Sequence, residues 1–246
     1  MRALFNGCSF VWGDELMDPM NSRFSKLFAE HTGMEEVNLA IRGASNDRIY
    51  RTTMDYLQLE GSPDYMIIVW SGIDRFEYVD VKEEDKFDPL FMQMSASRLD
   101  NSEFLRKRRS LQEYMVHIQN NYKRSIDTIN KMCEIQRLCE VQNIPLLQYQ
   151  FAFRHNETVN SILSKKPSNA REQAFIKYYK SKLDYLKPYS LYGLMDDDHD
   201  LLTISMNLND VEITKDGYGH PLEKSQVAFK EMMLSALEEH YDIRFQ

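Results

Sequence analysis

Short apolar runs alternate along the chain with stretches of helical periodicity. Residues 3–8 read as a first buried strand. Asn21 or Ser22 can cap a helix running to Gly33, with Phe24, Leu27 and Phe28 on one face. Val37, Leu39 and Ile41 alternate over residues 36–41 as a short second strand does. The turn Gly43-Ala44-Ser45-Asn46 opens a second helix with Ile49, Met54 and Leu57 on its apolar side, and Gly61-Ser62-Pro63 ends it. Residues 65–70, Tyr-Met-Ile-Ile-Val-Trp, are apolar throughout, as parallel strands covered on both faces are. A long helical pattern spans about 111–142, and residues 144–151 read as the next strand. Residues 201–206 read as a final strand. Pro221 then opens a last helix, where its missing N–H costs nothing, and turns Val227, Met232, Met233 and Leu237 to the sheet.

Strands alternating with helices predict an α/β fold, a three-layer α/β/α sandwich on a parallel, flavodoxin-like sheet with a helical insertion. The 246 residues suffice for one domain, 1–246. Two regions escape this rhythm. Residues 77–110 lose periodicity and read as an insertion or lid over the sheet edge. Residues 155–200 read as irregular and helix-containing, rich in tyrosine and lysine.

A net charge of -8 argues against broad nucleic-acid binding and leaves the substrate open. Cys8, Cys133 and Cys139 are too few and too scattered for a disulfide framework, which points to a reducing compartment. The N-terminus lacks the apolar core and cleavage site of a signal peptide, and no run of about eighteen apolar residues occurs. The expectation is a cytoplasmic protein with no membrane span. Inclusion in a virus particle stays compatible with it.

Four stretches carry candidate chemistry. Gly7-Cys8-Ser9-Phe10 follows the first strand, where an open α/β sheet binds its ligands. Residues 38–46, Asn-Leu-Ala-Ile-Arg-Gly-Ala-Ser-Asn, follow the second. Trp70-Ser71-Gly72-Ile73-Asp74-Arg75 follows the strongest strand, and Asp216-Gly217-Tyr218-Gly219-His220-Pro221 precedes the last helix. Their order and spacing resemble the SGNH hydrolases, the GDSL esterase/lipase superfamily. In particular they are similar to its branch with Gly-Cys-Ser-Phe in place of Gly-Asp-Ser, common among bacterial and phage sequences. The resemblance covers roughly a fifth of the chain and rests on all four blocks occurring in order.

The resemblance implies Ser9 as nucleophile and His220 as general base. It implies backbone N–H groups of Ser9 and Gly43 as oxyanion donors. Two positions depart from the family pattern. Asp74 stands where an asparagine donor is expected, and an ionised carboxylate cannot donate. Asp74 must then be protonated, or Arg75 or Ser71 takes the role, or the donor is lost. The acid that orients the histidine normally lies three residues before it. Here that position is Gly217, and Asp216 lies four before. A bulge could bring Asp216 to the imidazole, or a backbone carbonyl serves instead.

Several residues compete with these. Cys8 is a rival nucleophile, but strand alternation points Cys8 and Ser9 to opposite sides. His31 and His240 sit near helix ends, where a cation is favoured, and read as structural. Asp196-Asp197-Asp198-His199-Asp200 lacks the spacing of a calcium loop and reads as a solvated loop. Arg106-Lys107-Arg108-Arg109 reads as an exposed helix start. Tyr178, Tyr179, Tyr185, Tyr189 and Tyr192 could stack on sugars, but packing is the better reading.

Two functions are expected from these residues. The first is a serine esterase hydrolysing small acyl esters, with O-acetyl groups on carbohydrate among the candidates, and without cofactor or metal. The second is a catalytically weak or inactive module of the same fold that binds glycan, for example on a virion.

Overall fold

The structure is a computed structural model and describes residues 1–73, 75–80, 90–95, 121–150, 164–186, 190–192, 201–213 and 219–245. Its centre is a five-stranded sheet of β1 (Arg2–Asn6), β2 (Glu35–Asn38), β3 (Tyr65–Trp70), β6 (Leu146–Gln150) and β7 (Ser190–Tyr192). The strand order is β2-β1-β3-β6-β7 and every pairing is parallel. Counting sheet strands along the chain, this is the 2-1-3-4-5 order of flavodoxin-like sheets. The predicted parallel α/β/α architecture is therefore the one observed.

Among the described residues, the helices are α1 (Ser9–Trp12), α2 (Pro19–Ser22), α3 (Phe24–Thr32), α4 (Asn46–Leu59), α5 (Asn121–Gln142), α6 (Ala170–Leu186), α7 (Leu201–Asn207) and α8 (Glu223–Tyr241). Helices α3 and α8 pack on each other, as do α5 with α4 and α6. Phe5 of β1 meets Phe24 and Phe28 of α3 edge-on, and Phe24 meets Phe229 of α8 in the same way. All four rings are fully buried, so they form the apolar seam between sheet and helices.

Several buried polar groups in and beside the sheet are paired as burial requires. The Trp70 indole donates to Gln148 Oε1 at 2.8 Å, and Gln148 Nε2 donates to Met132 O and Gln136 Oε1 of α5. Arg23 binds Glu36 through two hydrogen bonds of 2.8 and 2.9 Å, a nearly buried bidentate pair. Ser25 Oγ donates to the same carboxylate, and Asn38 Nδ2 donates to Ser25 Oγ and Val11 O. This network clamps α1 and α3 to the end of β2.

Several predicted elements change. Residues 201–206 form helix α7, not a strand, and the missing strand is β7, a three-residue segment too short to show alternation. The helix expected from Asn21 or Ser22 is broken at Arg23, whose extended backbone serves as N-cap of α3. Pro221 ends a short strand, β9 (Gly219–Pro221), and α8 begins at Glu223 with Leu222 as N-cap. Met233 and Leu237 face the core as expected, joined by Phe229 and Leu234, whereas Val227 is exposed. The region read as an irregular insertion opens with an antiparallel pair, β4 (Arg75–Asp80) and β5 (Leu90–Ser95). Arg51 of α4 holds β4 through two hydrogen bonds to Glu77. The rest of that region, and much of 155–200, lies outside the described residues.

Gly7 is needed for space and not for an unusual φ. A Cβ there would lie 2.3 Å from Val11 Cγ2 and 3.0 Å from Val69 O. Gly7→Ala should therefore destabilise the fold by about 1–3 kcal/mol. Urea denaturation checks this, and Gly7→Ala/Val11→Ala should lose less than the sum of its two single variants.

Candidate functional site

The carboxyl ends of β1, β2 and β3 lie side by side, and the chain leaves β1 and β3 towards opposite faces. That divergence makes a crevice at the sheet edge, the place where open α/β sheets bind ligands. Ser9, the loop holding Arg42 and Gly43, and the loop after Trp70 all start from this edge.

Ser9 follows β1, as expected, and is the first residue of α1, with Cys8 as N-cap. Asn6 positions the turn. Its Oδ1 accepts from Gly7 N, and its Nδ2 donates to Ile49 O and Thr53 Oγ1. Cys8 is fully buried in the apolar core, which removes it as a rival nucleophile. Cys139 is likewise buried, and burial pushes its thiol up to about 12.

His220 comes from the other end of the chain, on β9. This strand pairs antiparallel with β8 (Val211–Ile213), setting His220 opposite Glu212. Asp210, just before β8, secures the junction with α8. Its carboxylate accepts from Ser225 N at 2.6 Å and its carbonyl accepts from Leu222 N and Ser225 Oγ. Asp210 thus caps α8 from outside the helix, in place of Leu222, which has no side chain able to do so. Gln226 then joins α8 to both neighbours, accepting from Phe24 N and donating to Pro221 O.

These supports bring His220 Nε2 to 3.0 Å from Ser9 Oγ across 211 residues of sequence. The Phe10 ring packs against the imidazole with centroids 5.8 Å apart. For Nε2 to accept the serine proton, the neutral ring must carry its own proton on Nδ1. That nitrogen is buried, and no described residue accepts from it. The imidazole titrates below its ordinary value. Burial is the main cause, Asp14 and Glu15 oppose it, and Arg75 and Arg42 add to it. A depressed value keeps the ring neutral, and so able to accept a proton, at pH 7.

Asn46 pins the second loop to the third. Its Oδ1 accepts from Ser71 N at 2.7 Å and its Nδ2 donates to Ser71 O at 3.0 Å and to Thr128 Oγ1. Ser45 caps α4 by accepting from Arg48 N. Gly43 has φ 72°, a left-handed conformation that favours glycine, and open space where a Cβ would stand. Asp74 and Asp216 lie outside the described residues. Of the two alternatives to Asp74, Ser71 is buried with its N–H already given to Asn46, while Arg75 donates to Ser71 Oγ at 2.9 Å. Arg75 is also near enough to act on the His220 charge.

The sequence reading missed Asp14, whose Oδ2 lies 3.9 Å from His220 Nε2. Its position five residues after Ser9, one helical turn on, was the available signal. The roles of Asn6, Asn46 and Asp210 were missed too, because they depend on partners remote in sequence. His31 and His240 lie in the last turns of α3 and α8, as expected. The tyrosines divide: Tyr179 is buried, whereas Tyr178 and Tyr185 are exposed on the same helix. The acidic run at 196–200 and the basic run at 106–109 lie outside the described residues. No described helix is long and apolar enough to cross a membrane.

Neither a family model nor a curated protein sequence matches the chain. Solved structures do. The salicylyl-acyltransferase SsfX3 from a tetracycline biosynthetic pathway has a TM-score of 0.50 at 11% identity, covering 100% of this chain and 57% of that one. The chain shares the fold of that structure. A putative lipolytic protein of the G-D-S-L family from Desulfitobacterium hafniense DCB-2 has a TM-score of 0.49 at 10% identity, covering 96% and 99% of the two chains. The acetyl xylan esterase AlAXEase has a TM-score of 0.49 at 13% identity, covering 96% and 100%. At such identities the likeness is one of fold, and any activity on this scaffold is argued from its own residues.

Two outcomes are expected. His220 should titrate below about 6.5, read by histidine NMR. The unfolded chain then takes up this proton before the folded one does. Stability should fall as pH drops from about 6.5 through the folded value, and His220→Gln should flatten that dependence in urea titrations. Asp210→Ala should lower stability by about 1–2 kcal/mol through loss of the α8 cap, measured by urea denaturation at pH 7.5.

Proposed function

We propose that the protein is a serine ester hydrolase acting on small acyl esters. The observation that carries this reading is the 3.0 Å approach of His220 Nε2 to Ser9 Oγ at the crevice of the sheet. A serine hydroxyl is a weak nucleophile until a neighbouring base takes its proton. Here the base is a neutral imidazole in a desolvated setting, which matches that task.

In this reading Ser9 Oγ attacks the ester carbonyl carbon as its proton passes to His220 Nε2. The tetrahedral oxyanion receives hydrogen bonds from the backbone N–H groups of Ser9 and Gly43. Donors placed in this way commonly contribute about 3 kcal/mol each. The intermediate collapses, the C–O bond to the alcohol breaks, and His220 returns the proton to the leaving oxygen. Water then attacks the acyl-enzyme with His220 again as base, releasing the acid and restoring Ser9. Arg75 is the third oxyanion donor if Asp74 is ionised. By the resemblance, Asp216 is the first candidate to accept the His220 Nδ1 proton, with a backbone carbonyl as the alternative. O-acetylated carbohydrate is the first substrate class to screen.

The test is reaction with an active-site phosphonylating reagent, followed by intact mass and peptide mapping. A single adduct on Ser9 is expected, lost in Ser9→Ala and slowed by about 10²-fold or more in His220→Ala. Both variants should keep the parent's urea midpoint within a narrow margin. No adduct on a folded parent would remove the hydrolase reading in favour of a binding module with the same fold.

A further inference from the structure

Asp14 follows Gly13, which ends α1 with φ 85°. Its backbone N–H donates to Ser9 O at 3.0 Å, so the residue is fastened one turn beyond the candidate nucleophile. Its two carboxylate oxygens are used differently. Oδ1 takes Arg42 Nη2 at 2.7 Å, while Oδ2 faces His220 Nε2 at 3.9 Å. The carboxylate is 16% exposed and the imidazole 14%.

An acid that only orients a base binds its far nitrogen, Nδ1. Asp14 approaches the near nitrogen, on the path of the travelling proton. At 3.9 Å it makes no hydrogen bond, and an ionised carboxylate has no proton to offer, so the Nε2 lone pair is left to the Ser9 hydroxyl. A carboxylate at that range, poorly exposed, still attracts a positive ring strongly. The charged groups acting on the ring are Asp14 and Glu15 after α1, Arg42 after β2, and Arg75 on β4. Lys215 and Asp216 precede His220 in sequence and lie outside the described residues.

We propose that Asp14, held by Arg42, is a positioning residue for this reaction: an acidic partner of His220 that acts at Nε2 and stabilises the imidazolium formed when the Ser9 proton moves onto the ring. The proposal rests on the hydrolase reading above. Asp14 itself never takes the proton, which passes from Ser9 to Nε2 and on to the leaving alcohol. Arg42 restrains the carboxylate and partly balances its charge. It precedes Gly43, so one short loop sets both the oxyanion glycine and the brace on the acid.

The test uses the full chain with labelled histidine, reading the His220 titration by NMR with His220→Gln as assignment control. Ser9 phosphonylation rates are read on the same samples. Asp14→Asn should move the His220 midpoint to lower pH and slow phosphonylation at pH 7 by about tenfold, the scale on which loss of a supporting partner is felt. Arg42→Gln should move the midpoint to higher pH. Opposite shifts from the two halves of one ion pair are a signature of charge, since a loosened fold would move both the same way. The proposal is overturned if Asp14→Asn leaves the midpoint unchanged, if both variants shift it in one direction, or if only Asp216→Asn moves it. Failure of the parent to label at Ser9 would overturn it together with the hydrolase reading. An unmoved midpoint in an enzyme that does label overturns the Asp14 role alone.

Discussion

The parallel pairing of β1 with β2 on one side and β3 on the other governs the rest of the molecule. Those two ladders bring three strand ends into register, and the loops that leave them have nowhere else to meet. The segments carrying Ser9, Gly43 and Ser71 leave adjacent strand ends because Phe5 pairs with Asn38 on one side and Ile67 on the other. Polar contacts then convert proximity into position. Asn38 holds the carbonyl of Val11, and Asn46 holds both backbone groups of Ser71. Each is a short amide side chain satisfying buried backbone that would otherwise cost about 1–3 kcal/mol per unpaired group.

The imidazole reaches this edge by a different route. Nothing in the parallel sheet places it; a separate two-stranded ribbon does, and that ribbon is anchored by the start of the last helix. Asp210 and Gln226 form the anchor. The base is therefore as well placed as the docking of α8 onto α3 allows. Apolar packing of Phe229 against Phe24 sets one side of that docking, and the Gln226 amide sets the other.

Much of this was legible in the sequence. Continuous apolar runs at 3–5 and 65–70 announce covered parallel strands, and turn residues after them mark the blocks with candidate chemistry. Ser9 and His220 were found because their blocks carry local signatures, and the structure brings the two together. The misread elements failed for physical reasons. Residues 201–206 have an apolar run that suits either element, and a run of six residues lacks the length to decide. Three residues of β7 show no period at all. Pro221 belongs to a strand because Val211 is there to pair with it, a partner no local pattern reveals. Asp14 lay in plain sight, but its value comes from a histidine more than two hundred positions away. Long-range electrostatics has no sequence period.

The Ser9–His220 contact has a consequence in time. Its two members lie 211 residues apart in sequence, the serine first. A chain emerging during synthesis can complete β1 and present its serine early, yet that hydroxyl stays chemically ordinary. It gains a base only when the ribbon and α8 have emerged and closed against α1 and α3. On the proposed hydrolase reading, reactivity thus arrives only once this whole span is made, and a copy that stops short of His220 carries a harmless alcohol in place of a nucleophile.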